Sequence, residues 1–369
     1  MIPENDQLYM AEQLPKIAIA MSGGVDSSVA AALLAEQGFE VAGIMLRLWS
    51  EPGGEDSNRC CTPDAMAMAR RVAAKLKIPF YVLDAQEVFR QIVVEHFLNG
   101  YTKGVTPNPC LVCNRHIRWE FLFNHVLAMG ADALATGHYV RIQPRHNGEL
   151  QLLRGIDTNK DQSYVLHMLN QHQLRRAYFP LGGYTKTQVR ELARRLNLPV
   201  ADRPESQDLC FLGNTDYRDF LTRYAPQSTH PGPILNTSGE TLGYHNGLSS
   251  YTIGQRKKLN IPSTVPLFVI DKLIEQNALV VGTKEELGFS ELTAHHVSWI
   301  SDIPPIQPFR ALVKIRYKSH DEWAVITPLS HEKIHVRFDR PQRDITPGQS
   351  AVLYDGDICL GGGEIIQSS

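Results

Sequence analysis

The chain has 369 residues, 43% hydrophobic and 21% charged, with 37 Lys and Arg against 39 Asp and Glu and a formal net charge of -2. This balance excludes a globally basic nucleic-acid binder but allows a local basic patch. No apolar run approaches about 18 residues, and segment 1–15 lacks the features of a signal peptide, so we expect a cytoplasmic protein without a membrane partner. Six cysteines are too few for a disulfide scaffold and indicate buried, metal-binding or catalytic thiols.

Strand and helix patterns alternate from Lys16 to Tyr139. Short apolar runs predict strands at 16–20, 41–48, 80–83 and 133–135. Helical spacing predicts helices at 29–37, 63–76, 86–98 and 114–129. The second helix follows the cap-then-proline rule, with Thr62 before Pro63. Strands separated by helices form βαβ units, so the predicted fold class is α/β with a parallel sheet and helices on both faces.

After Tyr139 the patterns change towards short strands. Asn147-Gly148 predicts a hairpin of 140–143 with 150–154, and two helices are expected at 162–169 and 185–196. Further short strands are predicted at 250–253, 267–271, 278–281, 309–317, 323–327, 334–338 and 350–354. Such a series of short strands with turn residues between them predicts a small β-barrel or sandwich.

The segment Ala20-Met21-Ser22-Gly23-Gly24-Val25-Asp26-Ser27-Ser28 joins the first predicted strand to the first predicted helix. Backbone N–H groups and the helix dipole can hold an anion there, and the two glycines allow close approach of the backbone. Asp26 fits an anion site only if it binds Mg²⁺ or helps to cap the helix. No lysine occupies the Walker position, which excludes a kinase-type P-loop. A plain cap on a core helix is the alternative.

Two cysteines have sequence surroundings that suggest reactivity. Cys113 lies in a proline-bounded segment, 106–114, before a predicted helix, and basic residues follow it. A helix N-terminus and nearby cations favour the thiolate form, so Cys113 is a candidate nucleophile. Cys210 follows a polar stretch in which packing gives no obvious reason for a cysteine. A buried, inert thiol is the alternative at each position.

These segments together resemble the tRNA-specific 2-thiouridylase family (MnmA type), and the resemblance covers essentially the whole chain. The 22–27 loop resembles the PP-loop of the ATP pyrophosphatase superfamily. The other motifs that carry the resemblance are 108–114, 135–139, 159–164, 210–211, 254–257 and 346–350. The resemblance implies an N-terminal PP-loop ATP-binding domain (1–215), a small mixed central domain (216–290) and a C-terminal tRNA-binding β-barrel (291–369).

The resemblance implies ATP-dependent 2-thiolation of uridine 34, the wobble base of tRNA. ATP would adenylate the C2 oxygen, Cys210 would carry a persulfide, and Cys113 would be its nucleophilic partner. AMP would leave as sulfur adds to C2, and a transient Cys113–Cys210 disulfide would remain. The two Cα atoms must then meet within about 4.4–6.8 Å, so we expect a loop movement. The target base must be flipped out of the anticodon stack.

The resemblance also implies the binding residues and partners. ATP, with Mg²⁺, would contact Ala20, Met21, Ser22, Gly23, Gly24, Val25, Asp26, Ser27, Leu46 and Gly137. The tRNA and its target base would contact Asn108, Pro109, Cys110, His138, Lys160, Asp161, Gln162, Arg316, Tyr317 and Gln349. The implied partners are the tRNAs for Lys, Glu and Gln, and a cysteine desulfurase or a sulfur-relay protein.

A basic stripe gives independent support for one of these contacts. Arg310, Lys314, Arg316 and Lys318 alternate along a predicted strand, 309–318, so a period of two places them on one face. Such a face suits contacts with phosphates. A solvated strand face is the alternative.

Cys110 departs from many members of the family, which have Asp after Asn-Pro. A thiol cannot replace a carboxylate in acid–base work. Cys110, Cys113 and Cys210 instead supply three thiolates, which fit a [4Fe–4S] cluster that binds sulfide at its open iron. A Cys-x-x-Cys pattern is equally compatible with zinc or with a redox pair. The persulfide and cluster routes therefore both stay open.

Other side chains carry weaker signals. We expect a local structural role for Cys60 and Cys61, with sulfur handling as the alternative, and a core position for Cys359. His295-His296 does not show metal-site spacing. Two other functions remain open: an ammonia-using PP-loop synthetase, which would need neither reactive cysteine, and a non-catalytic RNA-binding or redox-sensing protein with a vestigial loop.

Overall fold

The computed structural model describes most of the chain and leaves a few short segments undescribed. The described residues are 14–52, 62–204, 209–213, 215–343 and 345–368. The predictions for Cys60 and Cys61 lie outside these ranges. Among the described residues, no helix is both long enough and apolar enough to cross a bilayer.

Strands and helices alternate through the N-terminal half. The strands are β1 Lys16–Ala20, β2 Glu40–Arg47, β3 Phe80–Asp84, β4 Ala133–Ala135, β5 Val140–Pro144, β6 Leu150–Arg154 and β7 Ala177–Tyr178. The α-helices are α1 Val25–Glu36, α2 Pro63–Leu76, α3 Gln86–Phe89, α4 Glu95–Thr102, α5 Pro109–Val112, α6 Phe123–Ala128, α7 Gln171–Leu174 and α8 Lys186–Arg195. π-Helical stretches join α3 to α4 and α5 to α6 and are Arg90–Val94 and Cys113–Leu122.

The first sheet is parallel, with strand order β3-β2-β1-β4-β7. Side chains alternate along its middle strand β1. Ile17 and Ile19 pack into the cluster that contains α1 and α2, and Ala18 packs into the cluster that contains Trp119. Helices therefore cover both faces, as the βαβ pattern predicts, and the carboxyl ends of β1, β2 and β4 meet at one edge.

A small central unit follows α9, Tyr217–Tyr224. Its strands are β8 Gly232–Leu235, β9 Thr241–His245, β10 Phe268–Leu273 and β11 Ala278–Gly282. They form a sheet of order β10-β11-β8-β9, in which β8 and β11 are parallel and the other pairs antiparallel. The unit has its own apolar cluster around Ile234 and Leu279.

The last strands close into an antiparallel β-barrel. They are β12 Phe289–Trp299, β13 Phe309–Lys314, β14 Glu322–Ser330, β15 Lys333–Gln342, β16 Ser350–Asp355 and β17 Ile358–Ser368. The order is β12-β15-β14-β13-β16-β17, and pairing of β12 with β17 closes the ring. The hairpin β5–β6 also pairs with β17, so it ties the N-terminal half directly to the barrel. The domain boundaries after residues 215 and 290 stay predictions.

Four predicted elements differ from the structure. The expected helix 162–169 is only a 3₁₀ turn, Ser163–Leu166, because the buried Asp161 carboxylate accepts the N–H of Ser163. The expected strand 250–253 is preceded by a 3₁₀ turn, Leu248–Ser250, and joins none of the described sheets. Helix α1 begins at Val25 rather than at 29, and the helix expected at 114 begins at Pro109. Asn108 caps the second of these helices, which starts at Pro109, whereas the first starts after Gly24 without a side-chain cap.

Candidate functional site

The 22–27 loop leaves the N-terminus of α1 open. Gly24 is the N-cap, and no described side chain forms a cap hydrogen bond there. Ser22 Oγ and Ser27 Oγ lie 3.3 Å apart. Gly23 has φ of +70°, and a Cβ at this position would lie 2.3 Å from the carbonyl oxygen of Ala65 in α2. N-terminal N–H groups without a side-chain cap, adjacent hydroxyls and a glycine turn are the features by which a helix N-terminus can bind an anion.

The strands beside β1 carry the two residues expected at the adenine. Leu46 lies near the carboxyl end of β2, and Gly137 follows β4. A Cβ on Gly137 would lie 2.9 Å from the amide nitrogen of Ser27, so only glycine lets β4 approach α1 this closely. Both residues therefore flank the 22–27 loop at one sheet edge, where open α/β sheets bind ligands.

Asp26 is part of an ion pair rather than a helix cap. Lys186 Nζ donates to both carboxylate oxygens, at 2.7 and 2.8 Å, and the Tyr139 hydroxyl donates to Oδ1 at 2.7 Å. Lys186 is the first residue of α8, and its side chain is only 12% exposed. The sequence indicated a helix at 185–196, but it gave no sign that this helix begins beside the loop.

A second cation lies behind the loop. Arg203 donates to the Gly23 carbonyl oxygen at 3.3 Å and pairs with Asp64 of α2 at 3.0 Å. Sequence reasoning missed Arg203 as well as Lys186. Both come from segments that follow the first sheet in the chain, far from the loop, so spacing in the sequence does not reveal them.

The first two candidate thiols lie on one helix. Asn108 caps this helix by accepting the N–H of Leu111 at 3.4 Å, and Asn114 Nδ2 donates to the Cys110 carbonyl oxygen at 3.1 Å. Cys110 is exposed and lies in the first turn, whereas Cys113 is half-buried and begins the π-helical stretch. The dipole argument made for Cys113 therefore applies more directly to Cys110. π-Helical turns are frequent at functional sites.

Cys113 and Cys210 pack against the same apolar cluster. Its core includes Phe97 and Phe211, whose ring centroids are 5.3 Å apart, so the neighbour of Cys210 is anchored in it. Leu46 packs against this cluster too. The structure thus brings two thiols that are distant in sequence to one cluster, together with a residue expected at the adenine.

His138 connects the sheet edge with the thiol helix. Its Nε2 lies 3.2 Å from an Arg118 nitrogen, and its Nδ1 lies 2.7 Å from Thr136 Oγ1. Arg118 also donates to Asn114 Oδ1 at 3.1 Å. Because a guanidinium only donates, Nε2 accepts and Nδ1 carries the proton. Burial first, and then the Arg118 charge, hold the pKa of His138 well below 6.5, so the imidazole is neutral.

The barrel clamps the segment that precedes Cys110. Thr106 N–H donates to the Pro347 carbonyl oxygen at 3.0 Å, and Gln349 Nε2 donates to the Thr106 carbonyl oxygen at 2.8 Å. Asn108 Nδ2 donates to Gln349 Oε1 at 3.4 Å. Segments 106–108 and 347–349 are distant in the chain, but they form one structural unit at the site.

Several residues expected to contact tRNA have internal partners. The Gln162 side chain accepts the N–H of Tyr139 at 3.0 Å. Asp161 is 6% exposed, and its carboxylate is used by backbone and hydroxyl donors, which favours a role in shaping the turn. Arg316 donates to the Ile253 carbonyl oxygen at 2.9 Å and to Thr346, and thus joins the central unit to the barrel. The Tyr317 ring packs near that of Tyr164, Lys160 is half-buried, and Pro109 is buried.

The prediction of a continuous basic face along 309–318 is wrong after Lys314. Strand β13 ends at Lys314, so Arg316 and Lys318 do not continue its face. Arg310 pairs with Asp339 at 2.5 Å. A different group of cations is exposed, in the loop of the central unit, and comprises Arg256, Lys257 and Lys258. Cys359, as expected, is buried, and burial raises its pKa to about 12.

Three family models match the chain in succession. They are a "tRNA methyl transferase HUP domain" over residues 15–214, a "tRNA methyl transferase PRC-barrel domain" over 218–283 and an "Aminomethyltransferase beta-barrel domain" over 289–365. Among solved structures, a 4-thiouridine synthetase–RNA complex with bound ATP is similar at 17% identity and a TM-score of 0.36. The match covers 58% of this chain and 50% of that one. This likeness carries no argument about function.

Relatives match nearly the whole chain. The tRNA-specific 2-thiouridylase MnmA of Herpetosiphon aurantiacus is 46% identical over 357 residues, which cover 95% of this chain and 98% of the relative. That of Roseiflexus castenholzii is 46% identical over 370 residues, which cover 95% and 99%. With these matches and the three successive domain models, the chain belongs to the tRNA-specific 2-thiouridylase (MnmA) family.

Proposed function

We propose that the chain catalyses ATP-dependent 2-thiolation of uridine at the wobble position 34 of tRNA. The observation that carries this proposal is the shared apolar cluster, against which Leu46, Cys113 and Cys210 all pack. Leu46 lies near the end of the strand that flanks the 22–27 loop, so the shared cluster supports a position of both thiols near that loop. An ammonia-using synthetase of the same fold would have no use for two thiols at that place.

Adenylation of the uridine requires that the protein bind the triphosphate of ATP. The N-terminal N–H groups of α1, the hydroxyls of Ser22 and Ser27 and the charge of Lys186 are suited to hold a pyrophosphate group. The C2 oxygen of uridine attacks the α-phosphorus, the bond to the β-phosphate oxygen breaks, and pyrophosphate leaves. The adenylated oxygen is then a leaving group.

Magnesium fits this site through one carboxylate. Asp26 would hold Mg²⁺ together with phosphate oxygens, and the ion would neutralise charge on the departing pyrophosphate. In the structure Lys186 and Tyr139 hold the Asp26 carboxylate. Lys186 can therefore pass from the carboxylate to a phosphate when the nucleotide binds.

Sulfur transfer uses the two half-buried cysteines. A persulfide on Cys210 supplies its outer sulfur to C2, and the C2–O bond breaks to release AMP. The Cys113 thiolate attacks Cys210 Sγ and cleaves the S–S bond, which leaves thiouridine and a Cys113–Cys210 disulfide. An external dithiol reduces that disulfide to restore both thiols. If Cys113 attacks first, sulfide adds to C2 and the overall balance is the same.

The cluster route needs Cys110 as a third ligand. Cys110 is exposed and lies in the first helical turn, and it is not part of the apolar cluster that Cys113 and Cys210 share. This difference favours the two-cysteine persulfide route. We derive no step through a [4Fe–4S] cluster, and the experiment below separates the two routes.

The substrate and partners follow from the family. We propose that the protein modifies the tRNAs for Lys, Glu and Gln, that it receives sulfur from a cysteine desulfurase or a relay protein, and that it works in the cytoplasm. The exposed cations of the central unit are suited to hold tRNA while the first sheet carries the chemistry. His138, held neutral and hydrogen-bonded through both ring nitrogens, is suited to hold Arg118 and Thr136 in place rather than to contact the base itself.

The test is nucleoside mass spectrometry on unmodified tRNA incubated anaerobically with the protein, Mg-ATP and sulfide or a desulfurase with cysteine. Iron-free and iron-reconstituted protein are compared. We expect 2-thiouridine at position 34 from iron-free protein supplied by the desulfurase. Product only from iron-reconstituted protein would overturn the persulfide route, and no product from any preparation would overturn the function.

Three cysteine variants sharpen this test. Cys210→Ser and Cys113→Ser should abolish persulfide-dependent thiolation but retain ATP-dependent release of pyrophosphate in the presence of tRNA. Cys359→Ala removes a buried thiol of the barrel and serves as the matched control with near-normal thiolation. Full thiolation by Cys210→Ser would instead support an enzyme that uses neither thiol.

A further inference from the structure

The strands that close the barrel carry a group of metal-ligand side chains far in sequence from the site above. His295 and His296 on β12 and Glu364 on β17 each place one donor atom within 4.8 Å of the others. Across the described ranges, no other three His, Cys, Asp or Glu side chains are gathered in this way. The adjacent histidines showed no metal-site spacing in the sequence, because the third ligand comes from the last strand of the barrel.

A β-bulge brings the two imidazoles together. His295 pairs with Glu364, and the next paired residue of β12 is Ser298, opposite Gly362, so β12 has one extra residue here. His296 has φ of +49°. In a regular strand consecutive side chains point to opposite faces, but here the two rings stack with centroids 4.0 Å apart. A left-handed histidine is unfavourable, and such strain concentrates at ligand sites.

One donor atom in this group has no hydrogen-bond partner among the described residues. His295 Nε2 is buried from solvent and makes no hydrogen bond within the described ranges. It lies 3.6 Å from Glu364 Oε2, which is too long for a hydrogen bond. Two ligands of a tetrahedral Zn²⁺ ion are roughly 3.3 Å apart, given metal–ligand distances near 2.0–2.1 Å. The spacing therefore suits two ligands of one ion better than it suits a direct contact.

We propose that His295, His296 and Glu364 bind a divalent metal ion of borderline softness, Zn²⁺, and that the ion clamps β12 to β17. Two imidazoles and a carboxylate are a ligand set that Zn²⁺ accepts, with water in the fourth position. Rotation of the exposed His296 ring brings the third donor to the ion. The ion gives the buried Nε2 a partner and links the two strands whose pairing closes the barrel.

Charged groups of both signs surround the proposed site. Glu364 and Lys333 act on His295, and Arg115 interacts with Glu120, Glu364 and Glu332. Arg115 also donates to Ser298 Oγ at 2.9 Å, and Ser298 ends the bulge. An ion at this bulge therefore fixes the strand segment that contacts the helix of Cys113.

The test is zinc binding by the full chain after removal of metal with a chelator, measured by competition with a metallochromic indicator. We expect His295→Gln and Glu364→Gln to weaken the Kd for one equivalent of Zn²⁺ at least tenfold. His335→Gln is the matched control, since His335 and Glu291 form a similar cross-strand pair at 3.1 Å without a second imidazole. Equal affinity in the wild type and His295→Gln would overturn the proposal.

Two further measurements separate this site from the thiols and from misfolding. Co²⁺ bound here should show d–d bands without the intense sulfur-to-cobalt charge-transfer bands of a thiolate site. Zn²⁺ should raise the Tm of the wild type but not that of His295→Gln, while the two metal-free proteins melt alike. Charge-transfer bands for the whole of the bound cobalt would assign the metal to cysteines and refute the proposal.

Discussion

Lys186 Nζ lies 2.7 Å from Asp26 Oδ1 and 2.8 Å from Oδ2, although the two residues are 160 positions apart in the chain. Asp26 lies in the first turn of α1, at the end of the helix dipole that attracts anions. The 22–27 loop has no lysine of its own, and α8 supplies the missing positive charge from outside the loop.

The first prediction concerns this lysine. Lys186→Met should lower tRNA-dependent release of pyrophosphate roughly 10- to 100-fold, because a positioned charge near the transferring phosphate is lost. Steady-state kinetics with varied ATP measure the effect. Lys75→Met, which removes an exposed lysine near the end of α2, should behave as the wild type.

A double variant distinguishes the two roles that Lys186 can have. If Lys186 acts only through Asp26, adding Lys186→Met to Asp26→Asn should cause no further loss of activity. If Lys186 acts on the phosphates, the double variant should be slower than Asp26→Asn alone. Unchanged activity in Lys186→Met would contradict both roles.

The second prediction concerns acid stability and His167. Burial lowers the pKa of His167 to about 4, and its Nδ1–H donates to the Tyr164 carbonyl oxygen at 2.9 Å. The unfolded chain has a pKa near 6.5 at this residue, so between pH 6.5 and 4 the unfolded state binds more protons. Stability therefore falls as pH falls through this window, by about 3 kcal/mol in total.

Urea unfolding at several pH values measures this dependence. His167→Asn keeps a donor near Tyr164 but cannot titrate, so its free energy of unfolding should vary less between pH 6.5 and 4. Buried His138 contributes with the same sign, which leaves a residual slope. An identical pH dependence in His167→Asn and the wild type would refute this assignment.

The third prediction concerns Lys272 of β10. Its ammonium is buried and donates to the Gly104 carbonyl oxygen at 3.3 Å, and burial lowers its pKa from 10.5 to about 8. Between pH 8 and 10.5 the unfolded state binds more protons than the folded state, so the free energy of unfolding rises with pH. Below pH 8 the lysine is protonated in both states, and the folded state bears the full cost of the buried charge. Lys272→Met should therefore raise Tm by a few degrees at pH 7.

The gain from Lys272→Met should shrink as the pH approaches 10.5, because the wild-type lysine is then neutral as well. Scanning calorimetry at pH 7 and pH 10 tests this convergence. Lys284→Met, an exposed lysine of the same central unit, should leave Tm unchanged at both values. A gain that stays constant with pH would show that packing, rather than charge, causes it.

The sequence predicted the parts of the fold that depend on local pattern. Apolar runs located four of the five strands of the first sheet but missed the two-residue β7, and the Thr62-Pro63 and Asn147-Gly148 signals located α2 and the β5–β6 hairpin. It could not predict that this hairpin extends the barrel sheet, because pairing with β17 joins segments that lie far apart in the chain. The sequence also indicated the 22–27 loop, because that motif lies within one short segment.

The rest of the site depends on tertiary contacts. Lys186 and Arg203 reach their partners only through the fold, so no spacing in the sequence marks them. The basic stripe failed because period two was extended past the end of β13 at Lys314, where the chain turns. At His296 a β-bulge likewise interrupts the alternation of side chains between the two faces that a regular strand would give.

The last prediction concerns the exposed basic loop, Arg256, Lys257 and Lys258. Arg316 holds the neighbouring Ile253 carbonyl oxygen at 2.9 Å, so this loop is fixed against the barrel. Each cation that neutralises a phosphate adds roughly 0.7–0.9 to the slope of log K against log salt. Changing all three to Gln should weaken tRNA binding at low salt and reduce the slope by about 2–3.

Filter binding of unmodified tRNA over a series of salt concentrations measures this slope. The matched control changes Arg70, Arg71 and Lys75 to Gln, which removes three exposed cations from α2. Because both variants lose the same net charge, a difference between them reports the position of the charges rather than their number. Equal slopes in the two variants would show that the basic loop does not contact phosphates, and the cations that hold tRNA would then lie elsewhere on the chain.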